Sequence, residues 1–292
     1  MTWTNAVVQG ILLGGLYALF ATGLSLMFGV MRIINLAHGD LAVLGSYLVL
    51  VVLDHWHVSP FVGFLPVLPA MLILGYLLQR TLLERSLRSG VLIPLLTTFG
   101  LSIVIQNLLQ ERFSPDVRSL GGNAGEISTA SWQITDQLSI SALGALILVV
   151  SIVVLGGLQL FLARTAAGRA MRATAEDPDT AELVGINARA VYARATAIAV
   201  ATAALAGLFL AIRSTFEPTS GPTQLIFAFE AVVIGGFGSL WGTLLGGIVL
   251  GVAQTIGAQI DPQYSILAGH LVFLAVLAVR RGGLIAARGA TA

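Results

Sequence analysis

The chain has 292 residues, of which 57% are hydrophobic and only 10% are charged, whereas an ordinary soluble domain has about 25% charged residues. So few polar side chains cannot cover a water-facing surface, which excludes a soluble enzyme and predicts an all-α, polytopic helical membrane protein. All 15 basic residues are Arg and there is no Cys, which excludes a lysine-dependent phosphate-binding loop and a thiolate nucleophile. The net charge of +1 does not indicate a nucleic-acid partner.

Nine apolar runs follow one another and form a single transmembrane domain over residues 1–292. They occupy residues 6–28, 41–53, 61–78, 91–109, 138–162, 192–212, 225–240, 243–260 and 264–279. A straight helical span needs about 20 residues, and the runs 41–53 and 225–240 are shorter. We therefore expect about eight or nine transmembrane helices, one or two of them interrupted or short. No basic residue precedes the first run, which favours a retained helix over a cleaved signal peptide.

The arginines predict the orientation, because positive charge is disfavoured in short translocated loops. If every run crosses the membrane, twelve of the 15 Arg fall on one side and only Arg112, Arg118 and Arg213 on the other. This places the N-terminus outside and the C-terminus in the cytoplasm. It also makes residues 111–137 an external loop and residues 163–191 a cytoplasmic loop.

An amide, an imidazole and a carboxylate lie close together between the first two runs, at Asn35, His38 and Asp40. In a helix, Asn35 and His38 would share a face, and Gly39 would permit a bend that frees backbone groups. Two interpretations stay open. These side chains either line a hydrophilic pathway or its gate, or form a polar cytoplasmic turn.

The external loop 111–137 is polar and contains Gly and Ser, and it is longer than a minimal connection. It either docks an external binding protein or shields the ends of helices.

The cytoplasmic loop 163–191 contains the start and stop signals of a short helix. An acidic N-cap is followed by proline, and a glycine ends the segment about two turns later. The apolar residues of so short a helix cannot all be buried, so they either enter a groove of a partner, which we favour, or pack back onto the bundle. The residues concerned are Asp177, Pro178, Ala181, Glu182, Leu183, Val184 and Gly185.

A lone carboxylate, Glu230, lies inside the run 225–240. In lipid it must be protonated, paired or facing water, so it either faces a pathway inside the bundle or pairs with an Arg at the rim. Gly235, Gly236 and Gly238 lack the spacing of a dinucleotide site and predict a helix break or tight turn. The four scattered His form no metal motif, and no catalytic, cofactor or metal site is predicted.

Three sequence motifs resemble those of a known family. They are GLYAL at 15–19 leading into INLAHGD at 34–40, RATAED at 172–177 leading into LVGIN at 183–187, and FEAVVIGGFGS at 229–239. In this order they resemble the membrane permease subunits of bacterial branched-chain amino acid ABC importers, the LivH-like family. The resemblance covers nearly the whole chain.

The resemblance implies a multi-pass subunit of the bacterial inner membrane that translocates branched-chain, hydrophobic amino acids. It implies a second homologous permease subunit, two cytoplasmic ABC ATPases and a periplasmic substrate-binding protein as partners, besides membrane lipid. The chain itself would be no enzyme and bind no cofactor, since ATP and Mg would be held by the ATPases. By analogy, residues 178–184 become the coupling helix that docks in an ATPase groove, and residues 35–40 part of the pathway or its gate.

Two alternatives to this function remain. Urea and short-chain amide importers use similar ABC permeases, so urea or a short-chain amide is the alternative substrate. An ion-coupled secondary transporter would instead use Asp40 and Glu230 as proton or sodium sites and would work without ATPases.

Overall fold

The computed structural model describes residues 2–87, 90, 92–135, 138–280 and 282–285. Twelve α-helices lie within these ranges. They are α1 (Trp3–Met31), α2 (His38–Trp56), α3 (Pro60–Leu78), α4 (Glu84–Leu87), α5 (Leu92–Phe113), α6 (Ala142–Arg164), α7 (Ala166–Glu176), α8 (Pro178–Leu183), α9 (Ala188–Arg213), α10 (Gly221–Gly235), α11 (Leu240–Ile260) and α12 (Tyr264–Val279).

Seven helical segments of the described chain are long and apolar enough to cross a membrane. Six are α1, α2, α5, α6, α9 and α11, and the seventh joins α3 to α4 through the π-helical turn Gln79–Leu83. Two further apolar helices are shorter: α10 has 15 residues and α12 has 16. This confirms the polytopic helical fold with short helices among its spans.

Two predicted boundaries are wrong in instructive ways. The run 41–53 belongs to a helix of 19 residues, because the polar residues from His38 onward form its first turn instead of a loop. The run 225–240 ends at Gly235, since Gly236 and Gly238 adopt φ values of 104° and 75° and turn the chain before α11 begins. The expected helix break at the glycines is thereby confirmed.

The two strands of the described chain lie at the end of the predicted loop 111–137 and just after it. Strand β1 (Ser131–Thr135) pairs antiparallel with β2 (Leu138–Ser141), so the predicted run 138–162 begins as a strand and turns helical at Ala142. Residues 136 and 137 of the predicted loop lie outside the described residues. The fold is thus all-α with one small hairpin beyond the helix ends.

Glycines allow the central helices to pack backbone against backbone. Gly10 and Gly14 of α1 face Gly251 and Gly247 of the antiparallel α11, and a Cβ atom at any of the four would collide with backbone atoms of the other helix. Such small-residue contacts are a main source of helix association in membranes. Both α1 and α9 are 83% buried over their most apolar stretch, and they form the main hydrophobic core with residues of α2 and α10.

Two long helices are each followed by a helix that begins part-way along the bundle. After α1, residues 32–37 return toward the middle of that helix, where α2 begins: His38 Nε2 lies 2.9 Å from the Phe20 carbonyl. Phe20 is about 26 Å from the start of α1 and about 17 Å from its end, at about 1.5 Å per residue. After α9, residues 214–220 return in the same way, and α10 begins beside the first turn of α2.

The loops that the arginines assign to one side do meet at one end of the bundle. Arg80 and Arg189 both approach the Glu84 carboxylate, at 3.5 and 3.3 Å. At the other end, the Arg118 amide donates to the Phe216 carbonyl just beyond α9. Three of the twelve counted arginines, Arg88, Arg281 and Arg288, lie outside the described residues. Which end is cytoplasmic stays a prediction.

Candidate substrate pathway and coupling surface

Asn35 lies in the non-helical return between α1 and α2, so the predicted helical face shared with His38 does not exist. Its Oδ1 accepts from the Ala37 amide at 3.0 Å, and its own carbonyl accepts from the His38 amide. The side chain is 1% exposed. Asn35 therefore acts here as a turn-forming residue that satisfies the backbone where α2 starts.

His38 is fully buried between α1 and α9. The Phe20 carbonyl is 2.9 Å from its Nε2 atom, and a Cβ atom at Gly23 would touch the imidazole ring. This position fixes the first turn of α2 at mid-height of α1.

Asp40 lies two residues after His38 on α2 and is also fully buried. Its Oδ1 accepts from Gln106 Nε2 of α5 at 2.9 Å, and the same amide nitrogen lies 3.1 Å from Ser102 Oγ. Its Oδ2 has no hydrogen-bond partner among the described residues. A buried carboxyl group with free acceptor capacity is costly, which makes Asp40 a candidate for contact with a passing polar group.

Gly39 does not bend the chain as expected, because it lies within regular helix. Its role is close approach: a Cβ atom there would collide with the Gly221 carbonyl, and a Cβ atom at Gly221 would collide with the Asp40 carboxyl group. The first turns of α2 and α10 thus touch, backbone against backbone, beside the carboxyl group.

Glu230 is 3% exposed on α10, and its Oε1 is paired with Nδ1 of His270 on α12. The expected pairing of Glu230 with an Arg at the rim is therefore wrong, because its partner is the imidazole of His270. Nine residues separate Glu230 from Gly221, about 14 Å at 1.5 Å per residue. The structure therefore does not bring Glu230 and Asp40 into one site.

Sequence reasoning missed a second polar contact next to Glu230. The Tyr17 hydroxyl of α1 donates to Gln254 Oε1 of α11 at 2.5 Å, and the Tyr17 ring packs against Phe227 at 5.1 Å between centroids. The sequence feature that could have indicated this contact is the amide of Gln254 inside the apolar run 243–260.

Helix α8 has the predicted caps. Asp177 Oδ1 accepts from the amides of Asp179 and Thr180, at 3.0 and 3.1 Å, and Pro178 is the first helical residue. At the other end Gly185 has φ 85° and donates to the Glu182 carbonyl, while the next amide donates to the Ala181 carbonyl. This pair of bonds is a Schellman motif.

The hydroxyl of Thr180, with its amide, lowers the pKa of the Asp177 carboxyl group. Because the folded pKa lies below the unfolded one, the cap contributes stability at neutral pH and loses it only as the pH falls through the lowered pKa.

The apolar residues of α8 divide into two groups. Ala181 is 3% exposed and packs into its own chain, whereas Leu183 is 86% and Val184 is 73% exposed. Glu182 is exposed beside them. A short helix whose last residue and C-cap present two large apolar side chains to solvent is suited to docking in an apolar groove.

One family of known proteins matches the chain across all of these candidate sites. The family described as "Branched-chain amino acid transport system / permease component" matches residues 6–278. The chain belongs to this family. The match includes every candidate pathway residue and the whole of α8.

Individual relatives of the permease agree with the family match. The chain is 34% identical to the high-affinity branched-chain amino acid transport system permease protein BraD of Pseudomonas aeruginosa, over 97% of this chain and 95% of that one. It is 30% identical to LivH of Escherichia coli over 95% and 93%. It is 25% identical to LivM of the same organism over 90% and 66%. No solved structure matches it significantly.

Proposed function

We propose that this permease is the membrane-spanning subunit of an ABC importer that carries branched-chain amino acids across the inner membrane. The observation that carries the proposal is the end-to-end match to BraD and LivH, whose names specify high-affinity branched-chain amino acid transport. Its partners would be a second homologous permease, two cytoplasmic ATPases that bind ATP and Mg, and a periplasmic binding protein.

Amino acids cross as zwitterions, and each charge needs a polar contact where water is absent. In our proposal, the buried carboxyl group of Asp40 serves the ammonium end, and Asn35 and His38 hold the break between α1 and α2 that places it there. Glu230, with His270, belongs to the same pathway or gate nearer the end of α10.

Force from ATP hydrolysis would enter through α8. Its exposed Leu183 and Val184 fit an apolar groove, and its capped ends keep the helix formed before docking. Closure of the two ATPases would push this rigid segment and shift the attached helices α7 and α9, so that the pathway opens alternately to the two sides. This requires α8 to be cytoplasmic, as the arginine distribution predicts.

Transport by the purified complex tests the proposal. Proteoliposomes that contain the complete complex, with ATP inside and the binding protein outside, should accumulate leucine. Accumulation should stop when the phosphate-binding Lys of the partner ATPases is replaced.

Two results would contradict the proposal. Uptake by the permease alone under an ion gradient would favour a secondary transporter. Urea or a short-chain amide that outcompetes leucine would change the substrate class and leave the ABC mechanism intact.

A further inference from the structure

A cavity of about 510 Å³ lies at the end of the bundle where α6 meets α7. Its walls are the last two turns of α1, the end of α6, α7, and the turn that leads from α10 into α11, together with Ile285. None of its lining residues in the described chain belongs to the candidate pathway or to α8. The proposed transport function therefore assigns no role to this cavity.

Two hydroxyl groups in the cavity wall have hydrogen-bonding capacity that the chain does not use. Ser25 is 1% exposed, and its Oγ has no hydrogen-bond partner among the described residues. Ser239 Oγ accepts from the Gly242 amide at 3.1 Å, which leaves its own hydrogen able to donate. Because a buried hydroxyl without a partner is costly, a ligand group that carries oxygen atoms would be stabilised here.

Arg172 of α7 supplies the charge of this wall, and the lining residues within the described ranges include no carboxylate. Its Nη1 donates to the Leu162 carbonyl at the end of α6, which holds the guanidinium group at the cavity. The other donors of its planar fork stay available, so an anionic group is favoured. A zwitterionic ligand would bring an ammonium group for which the wall offers no opposite charge.

Apolar surface continues from the cavity toward the middle of the membrane. Trp241 lines the cavity and is 45% exposed, and its ring is 3.8 Å from the place that a Cβ atom at Gly156 of α6 would take. Val153, one turn before Gly156, and Leu245, one turn after Trp241, are exposed on the same helix faces. This surface between α6 and α11 suits an acyl chain, and a tryptophan at its head is typical of the membrane interface.

The position of the cavity along the bundle matches the level of lipid headgroups. Ser25 lies about 9 Å before the end of α1, at about 1.5 Å per residue. Beside it, α7 folds back on α6, with Gly168 against the α6 backbone. This helix is amphipathic, because Met171 is buried whereas Arg169 and Arg172 are exposed. Such a helix is suited to the boundary between headgroups and acyl chains.

We propose that this cavity binds the headgroup of an anionic phospholipid from the surrounding bilayer. Arg172 contacts the phosphate, the hydroxyl groups of Ser25 and Ser239 donate to its oxygen atoms, and an acyl chain follows the surface between α6 and α11. Since one residue separates α7 from α8, the bound lipid also fixes the place from which α8 projects. The binding site itself does not depend on the proposed function.

Thermal unfolding of the purified full-length permease in detergent tests the class of ligand. We expect dioleoylphosphatidylglycerol to raise the melting temperature by about 4 °C or more, because a ligand that binds the folded state stabilises it by mass action. Dioleoylphosphatidylcholine has the same chains but a zwitterionic headgroup, and should give less than about half of this shift. Glycerol phosphate, which has the charge without the chains, should give none. An equal shift with phosphatidylcholine would overturn the proposal, and so would an equal shift with glycerol phosphate, which would indicate a soluble phosphate compound.

Variants of α7 test the site. Arg172→Gln should reduce the shift with phosphatidylglycerol to that with phosphatidylcholine, whereas Arg172→Lys should keep part of it. The matched control is Arg169→Gln, because Arg169 is exposed on the same helix but does not line the cavity, and the full shift should remain. An equal loss in both glutamine variants would mean diffuse attraction to a basic surface and would overturn the site.

Brominated acyl chains locate the bound lipid. The chain has four Trp, and Trp3, Trp56 and Trp132 are exposed, so their replacement by Phe leaves Trp241 as the fluorophore. Brominated phosphatidylglycerol should quench Trp241 with a roughly fivefold preference over brominated phosphatidylcholine, as expected for one arginine near an anionic headgroup. Arg172→Gln should abolish this preference. Quenching without preference when Arg172 is present would indicate ordinary annular lipid and would overturn the proposal.

Discussion

The contact between α1 and α11 and the polar cluster around Asp40 are built from different chemistry. Between α1 and α11, glycines bring backbones together and leave no room for another carbon atom. Around Asp40, glycines of α2 and α10 also touch, but a side-chain hydrogen bond from Gln106 to Asp40 links α5 to α2. Mutations at the α1–α11 contact should therefore act on folding, whereas mutations of the polar side chains should act on transport. Helix α8, the proposed coupling helix, is a third case, with capped ends and with Leu183 and Val184 exposed.

The largest effect is expected from Gly14→Leu in the core. The new side chain would meet the Ile248 backbone of α11, and the cost should exceed the ~1–3 kcal/mol typical of overpacking because a backbone cannot rotate away. Folded protein in the membrane, measured by size-exclusion chromatography in detergent, should largely disappear. Gly157→Leu on α6, where a Cβ atom meets nothing within 4 Å, should leave it unchanged. Equal yields of the two variants would show that the core is not tightly packed.

The next effect is expected from Asp40→Ala, which removes the buried carboxyl group and leaves the glycine contacts in place. Leucine uptake by the complete complex should fall by about tenfold or more, since a charge crossing the membrane loses its polar contact. Asp40→Asn separates charge from hydrogen bonding. The control is Asp54→Ala, an exposed position at the other end of the same helix. Uptake at the parent level in Asp40→Ala would reduce Asp40 to a packing residue.

Leu183→Asp should uncouple the permease without unfolding it. Burial of a leucine stabilises an interface by roughly 1.5–3 kcal/mol, and the Leu183 residue is 86% exposed before docking. We expect weaker co-purification of the ATPases and lost ATP-dependent uptake, with a normal yield of folded permease. Leu183→Met keeps the apolar surface and should retain both. Full ATPase binding by the aspartate variant would mean that α8 is not the docking element.

The smallest effect is expected from the cap of α8. Asp177→Ala removes the acceptor for two amides and should reduce uptake partially, because the helix then forms less completely before docking. Asn is an equally good N-cap, so Asp177→Asn should restore uptake. If both variants transport alike, the helix is held by its partner rather than by its cap.

The sequence alone determined the features that depend on local chemistry. Apolar content and run length establish a polytopic helical protein, because each span must satisfy its own backbone in lipid. The caps of α8 follow from Asp177, Pro178 and Gly185, since each acts within one helical turn. The motif residues also identified the family that the end-to-end match confirmed.

Only the tertiary structure decided which polar groups meet and how deep they lie. Asp40 and Gln106 are 66 positions apart, and Glu230 and His270 are 40 apart, so no local pattern pairs them. The depth of α2 is fixed by His38 against Phe20, a contact between helices that hydropathy cannot indicate. Hydropathy shows that a segment avoids water, whereas packing between helices determines which residues contact one another. The proposed pathway of this permease depends on those contacts.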